Sequence, residues 1–508
     1  MSEVSRFGEL KILDEPALEF RFGQQISDPR DGLSLFGPYD ADAISHPAAV
    51  SYGVVGTTYG INLFSAWSKA MDNAWTDAPK ERHRLWPPYP GFQAAFDSEW
   101  RSEPIWEHAL DDAALDDVAH RHDPYERVHA VVDRYLLAFE DLRMIDENLN
   151  VMVCVVPDEI YRTCRVKSRI KRKRSTGEVI SMRALKSRKK GQLEFFSEYE
   201  QETYQLSLDF RRQIKARTMA YNMPIQIIRE STLRLNDENQ FGQRQLTPLS
   251  NRMWNLASVI YYKAGGKPWR LATARDGVCY VGLAFRRTDD LGETKTAACA
   301  AQMFLDDGDG VVFLGNYGPW YSPKENQYHL TKQAAYELLK GALETYAQLH
   351  GKRLTEVFLH SRSDISAEEF EGYESAALEG LKVVGIRVRP WRDGPRLYRI
   401  DKRWPVIRGT FWQHSETRGY LFGSGFKPRL GTYDGWKTPA PLQIDIQHGK
   451  ADIVDVARDI LGLTKLNYNA CSPGDKQPVT VKFSDEVGEI LVSNPTIKER
   501  QPTFRYYI

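Results

Sequence analysis

Residues 150–161 read NVMVCVVPDEIY, and the six residues Val151 to Val156 are apolar without interruption before Pro157 and two acids close the run. A strand with one wet face alternates apolar and polar residues. One that is apolar throughout is buried on both faces, as in a parallel sheet covered by helices. Upstream, AAVSYGVVGTTYGINLFSAWSKAM (48–71) reads as a strand over Val50–Val55, a Gly/Thr turn and an amphipathic helix. Downstream come a helix expected from Phe196 to Tyr221, a short strand IQIIRE (225–230) opened by Pro224, and a helix SNRMWNLASVIYYK (250–263). This last helix is expected to start at a Ser250 or Asn251 cap and to stop at Gly265–Gly266. Strand and helix in alternation over this length predict a doubly wound α/β unit.

The texture changes after Gly266. DGVCYVGLAFRR (276–287) is a second buried strand, apolar from Val278 to Phe285 and charged only at its ends, with Ala284 near its close. AACAAQMFLDDGDGVVFLG (297–315) predicts a hairpin turning at Asp306–Gly310. TKQAAYELLKGALETYAQLHG (331–351) is a helix stopped by Gly351, TEVFLH and KVVGIRVR are strands, and GKADIVDVARDILGLTKLNYN (449–469) is the last long helix. Residues 1–45, rich in Gly, Pro and Asp, read as a linker segment. The organisation expected is therefore 1–45, 46–265 and 266–508.

A chain of 508 residues with 42% hydrophobic and 27% charged residues is ordinary for a globular protein. No apolar run approaches the length of a membrane span, and MSEVSRFGELKILDEP has no signal-peptide core. Cys154, Cys164, Cys279, Cys299 and Cys471 form no C-x-x-C pair, which argues against a zinc site or disulfide framework and fits a reducing cytoplasm. The formal net charge of zero conceals opposed blocks. Residues 91–150 hold fifteen acids and five bases, whereas residues 161–190 hold thirteen bases and one acid, Glu178. The acidic block is a partner surface or a solvated helix. The basic block, RVKSRIKRKRSTGEVISMRALKSRKK, is a solvated insertion or a phosphate-backbone contact, and its lack of interleaved aromatics disfavours base stacking.

One constellation carries chemistry. Arg211 and Lys215 are four residues apart and share a helix face, Gln226 follows in the next strand, and Lys263 ends the next helix. Cations and an amide gathered by an α/β unit suit a terminal phosphate. Alternatively, Arg211 and Lys215 are a solvated face, and Lys263 is a cation favoured at a helix C-terminus. The tail TFRYYI is too apolar for an exposed end, so Ile508 is expected to dock. A carboxylate docked beside a phosphate would need a bridging divalent cation with oxygen ligands, such as Mg²⁺. DDGDG departs from a calcium loop, and YGVVGTTYG lacks dinucleotide spacing.

Several ordered motifs resemble the short prokaryotic Argonautes across essentially the whole chain. They are DPRDGLSLFGP (28–38), IKARTMAYNMPIQIIRE (214–230), YYKAGGKPWRL (261–271), CAAQMFLDDGDGVVF (299–313), GPWY, LTKLNYNAC with PVTVKF, and the terminal FRYYI. The resemblance implies an α/β fold with a Rossmann-like MID domain and a ribonuclease-H-like PIWI domain. It places Lys215, Gln226 and Lys263 on the residues that hold a guide 5′-phosphate. Arg211 falls where relatives carry Tyr, His or Arg. Gln226 and the Ile508 carboxylate fall beside a Mg²⁺. The PIWI acids needed for two-metal cleavage would stand at Ala284 and in HSRSD, where Arg362 or Ser361 takes the position; Asp364 is displaced. The resemblance further implies a guide RNA, a single-stranded DNA target, no cleavage by this chain, and an APAZ-domain effector partner of TIR, sirtuin-like or nuclease type in prokaryotic immunity. Two rival readings are a guide-dependent nuclease with a rebuilt metal site using His360, Asp364 or Asp475, and a general single-strand binder working through the basic run.

Overall fold

The computed structural model of the chain describes residues 8–142, 148–170, 174–177, 180–189, 200–235, 247–287, 297–304, 310–318, 320–322, 327–350, 353–400, 403–435, 437–492, 494 and 499–508. Two sheets organise it. The first has four parallel strands in the order Trp106–Leu110, Tyr52–Thr57, Val151–Val156, Ile225–Arg229. Val151, Val153 and Val155 enter one core, while Met152, Cys154 and Val156 enter another on the opposite face. The unbroken apolar run thus serves two cores, and helices cover both faces.

Local chemistry sets the element ends. Strand Tyr52–Thr57 runs straight into helix Thr58–Met71 without the turn read from the sequence, because the Thr57 hydroxyl accepts the Gly60 N–H at 3.0 Å and caps the helix. The helix expected from Phe196 to Tyr221 is shorter, Phe210–Thr218, and is capped by Asp209; residues 190–199 lie outside the described residues. Helix Leu249–Lys263 is capped neither by Ser250 nor by Asn251. The carboxylate of Asp77, remote in sequence, accepts the N–H groups of Leu249 and Ser250. Gly265 ends that helix at φ +106°, a conformation that strains any side chain.

The second sheet has nine strands among the described residues. Val278–Arg287 lies between Ala297–Phe304, antiparallel to it, and Glu356–Ser361, parallel to it. Lys382–Pro390 and Leu442–His448 continue the sheet. The hairpin strands Ala297–Phe304 and Gly310–Gly318 are present, and the turn itself lies outside the described residues. Helix Val479–Val492 packs on Val278–Arg287 at Gly282, where a Cβ would stand 2.0 Å from the Thr480 carbonyl oxygen.

Residues 8–45 are not a linker. Leu10–Ile12 adds an edge strand to the large sheet beside Thr410–Gln413, and Leu18–Glu19 pairs with Arg270–Leu271. Helix Pro29–Phe36 is capped by Asp28, and Gly32 lets the Phe20 ring lie flat against it. Glu15 closes the strap with ion pairs to Arg408 at 3.0 Å and Lys465 at 2.7 Å. The Gly, Pro and Asp residues read as linker chemistry are caps and close approaches, and Leu13, Leu18, Phe20 and Leu33 between them are buried.

Candidate functional site

Where the first sheet meets the helix Val479–Val492, a cavity of about 620 Å³ is lined by Arg211, Lys215, Gln226, Lys263 and Ile508 together. The fold explains the convergence. Helix Phe210–Thr218 presents Arg211 and Lys215 on one face, Gln226 sits in the adjoining edge strand, and Lys263 ends the helix that packs behind it. The chain terminus arrives from the opposite side. Phe504, Tyr506, Tyr507 and Ile508 are buried, and the Tyr506 hydroxyl donates to Asn222 Oδ1 at 2.8 Å. Asn222 caps the end of its helical turn with φ +51°. The Tyr507 hydroxyl donates to the Gln501 carbonyl at 2.9 Å, and Gln501 Nε2 donates to the Met219 carbonyl at 3.1 Å.

The two lysines differ from surface lysines. Lys215 is 2% exposed, and its Nζ donates to the Tyr507 carbonyl at 2.7 Å and to an Ile508 terminal oxygen. Burial, then the charges of Arg211 and Lys263, hold its ammonium well below the usual lysine range, with Glu486 opposing them. Lys263 is 1% exposed and donates to the Ile225 carbonyl at 2.6 Å; burial and Arg211 push it down to about 7. Two lysines buried in the wall of one cavity are destabilised as cations, and a bound anion would relieve both. Arg211 sits at the rim, half exposed, with Nη2 3.5 Å from Glu486 Oε2.

Gln226 Oε1 is buried and has no hydrogen-bond partner among the described residues, while its Nε2 donates to the Ile227 carbonyl at 3.2 Å. The unpartnered Gln226 amide oxygen and the Ile508 oxygen, on two residues that line the same cavity, are donors of the kind a hard divalent cation takes, so these residues fit Mg²⁺. The cavity has further walls that the sequence reading missed. Glu486 and Glu489 line it from helix Val479–Val492, and Glu489 pairs with Arg212. Their signal was faint: two of three acids, Asp485, Glu486 and Glu489, within one helix that also carries Lys482.

The positions implied for cleavage lie elsewhere. Ala284 is 3% exposed and faces Ala300 across the strand pair. Arg362, after the end of strand Glu356–Ser361, pairs with Asp485 and donates to Gln477 Oε1 at 3.1 Å. His360 is buried, with Nδ1 2.8 Å from Thr480 Oγ1, and burial pushes it down to about 3. Asp364 is engaged by Arg387, Gln327 and Gln447, and Asp475 by Lys482 and Asn467. His360, Asp364 and Asp475 are therefore not brought together. Among the described residues, no three His, Cys, Asp or Glu side chains cluster as a metal site would need.

The basic block is partly structural. Helix Met182–Lys189 carries Arg188, which is buried and bonded to Glu126 and the Tyr204 hydroxyl. The acidic block is drawn on in turn: Asp123 and Glu126 hold Tyr204, and Asp133 pairs with Arg217 at 2.6 Å. Among the described residues no helix is long and apolar enough to cross a membrane.

No protein-family model matches the chain, and no curated protein matches it. Solved structures do. Clostridium butyricum Argonaute bound to a guide DNA and a 19-mer target DNA aligns with 99% of this chain and 55% of its own, at TM-score 0.59 and 14% identity. The structure of Aa-Ago with externally bound siRNA aligns at TM-score 0.56 and 14% identity, covering 99% of this chain and 56% of its own. A. aeolicus Argonaute aligns at 0.55 and 14%, covering 97% and 54%. The chain thus spans about half the length of the Argonautes it matches. The chain has an Argonaute-like α/β fold.

Proposed function

We propose that this chain is a guide-binding short Argonaute that holds a 5′-phosphorylated guide RNA and recognises complementary single-stranded DNA without cutting it. The observation that carries this reading is the meeting of Lys215, Lys263, Gln226 and Ile508 around one cavity. Lys215 and Lys263, with Arg211 at the rim, receive the terminal phosphate through charge-assisted bonds. Bound Mg²⁺ would supply the positive charge that lets a phosphate and the Ile508 carboxylate share the site, with Gln226 Oε1 as a further oxygen ligand. The matched structures with bound guide, target or siRNA support the same substrate class. Domain limits of 46–265 and 266–508 belong to this reading.

The non-cutting part rests on Ala284 and Arg362 at the implied acid positions and on the engagement of Asp364 and Asp475 in ion pairs. A chain that pairs without cutting has its output elsewhere, so an associated APAZ-domain effector in a cytoplasmic defence system completes the proposal. The test is to isolate the chain with its genomic neighbour, extract bound nucleic acid, and end-label it before and after phosphatase. Short RNA that labels only after phosphatase supports the pocket assignment. Long unphosphorylated fragments would support the general single-strand binder instead.

A further inference from the structure

Helix Val479–Val492 touches both the phosphate pocket and the strand end at Arg362. Its first turn is pinned on the large sheet. The Thr480 carbonyl presses on Gly282, so closely that a Cβ there would stand 2.0 Å away, and Thr480 Oγ1 meets buried His360 at 2.8 Å. Its last turn and the residue Asn494 beyond it are tied to helix Phe210–Thr218, with Glu489 paired to Arg212 and Asn494 Nδ2 donating to the Arg212 carbonyl. Between the ties stand two consecutive acids. Asp485 pairs with Arg362, and Glu486 faces Arg211 at 3.5 Å. Adjacent helical residues point about 100° apart. One short element therefore holds an arginine of each site through neighbouring carboxylates.

We propose that this helix is a strut coupling the phosphate pocket to the strand end at Arg362, with Glu486 as the positioning residue that answers to the pocket's contents. The proposal rests on the guide-binding reading above. Without a strand end, Glu486 restrains Arg211. A 5′-phosphate is the stronger partner for the guanidinium, because it carries more charge than a single carboxylate and is held in place by Lys215 and Lys263. Once Arg211 turns to the phosphate, Glu486 loses its counter-ion. The helix is tied at both ends, so the change falls on its middle, where the next residue is Asp485. Its hold on Arg362 then changes at the place where a paired target strand would lie. The two states are the closed and open Arg211–Glu486 pair, and the coupling is reciprocal: target binding tightens the phosphate's hold as much as the phosphate tightens target binding.

The test loads the full chain at saturation with guides of one sequence carrying either a 5′-phosphate or a 5′-hydroxyl, and titrates labelled complementary DNA. In the wild type, the phosphorylated guide should give target affinity about fivefold or more above the hydroxyl guide. Glu486→Gln should erase that difference while binding phosphorylated guide more tightly than wild type, and Glu486→Asp should restore it. Asp485→Asn should also erase it, from the other end of the strut. A Glu486→Gln protein that keeps the full wild-type difference overturns the coupling. A wild type whose guide binding ignores the 5′-phosphate overturns the function reading and the coupling together. A wild type that binds the phosphorylated guide preferentially yet shows equal target affinity overturns the coupling alone.

Discussion

Lys215 and Ile508, 293 residues apart in the chain, are joined by a buried contact between the lysine ammonium and the terminal carboxylate. The contact brings the end of the second half of the protein into the pocket of the first. It also leaves Lys215 with a partner that is itself anionic, so an entering phosphate must share the lysine rather than find it bare. Sharing between two anions is why the fit to a divalent cation matters here.

Replacing both lysines, Lys215→Ala with Lys263→Ala, should abolish the preference for a 5′-phosphate. Hydrogen bonds to charged groups are worth about 1.5–3 kcal/mol each, so the two together amount to roughly a 10²–10⁴-fold loss of affinity. Equilibrium binding of phosphorylated and hydroxyl guides measures it, and unchanged discrimination would refute the pocket.

Lys263→Met should raise the melting temperature of the strand-free protein while weakening guide binding. The ammonium is 1% exposed, has one carbonyl partner and sits near Arg211, so an apolar chain of similar length removes an unfavourable buried charge. A lowered melting temperature would mean that the bond to the Ile225 carbonyl outweighs the desolvation.

Guide affinity should fall as pH rises from about 7 to about 9. Lys263 has a folded-state pKa of about 7, below the unfolded value near 10.4, so it loses its proton in this window unless an anion restores it. Stability of the strand-free protein moves the opposite way. The penalty of charging Lys263 is complete below pH 7 and is relieved as pH climbs, because the unfolded chain then binds more protons than the folded one. Calorimetric proton uptake on binding at pH 8 checks both signs.

Extending the chain by two residues beyond Ile508 should cut Mg²⁺-dependent guide binding about tenfold or more, because the carboxylate moves out of the pocket that Gln226 Oε1 shares. The comparison is binding with Mg²⁺ against EDTA for native and extended termini. An equal EDTA effect on both would exclude Ile508 as a ligand.

Gly282→Ala should destabilise the protein by about 1–3 kcal/mol, since the new Cβ meets backbone at 2.0 Å and a rigid helix turn cannot yield cheaply. Denaturant midpoints report it. Ala284→Asp, by contrast, should bring no cleavage of a labelled target with Mg²⁺ or Mn²⁺, since Arg362 still stands at the second position.

The legible parts of this protein were those carried by local pattern. The apolar run at Val151–Val156 predicted a strand buried on both faces, and its side chains do alternate between two cores. The four-residue spacing of Arg211 and Lys215 placed both on one helix face, and the apolar tail predicted a docked terminus. Those signals depend on periodicity and hydrophobicity, which act over a few residues. What they left open was whether Lys215 and Lys263 were solvated or sequestered, since spacing carries no burial.

Tertiary structure decided the rest, because the deciding partners are remote in sequence. Asp77 rather than Ser250 caps a helix 172 residues away. The segment near the start turned out to be tied down by strand pairing of Leu10–Ile12 with Thr410–Gln413 and by the ion pairs of Glu15 with Arg408 and Lys465. The acids Asp485 and Glu486 were not singled out in the sequence; the packing of their helix sets one against Arg362 and the other against Arg211. A charge acquires its chemistry from burial and from its neighbours, and both are properties of the folded chain alone.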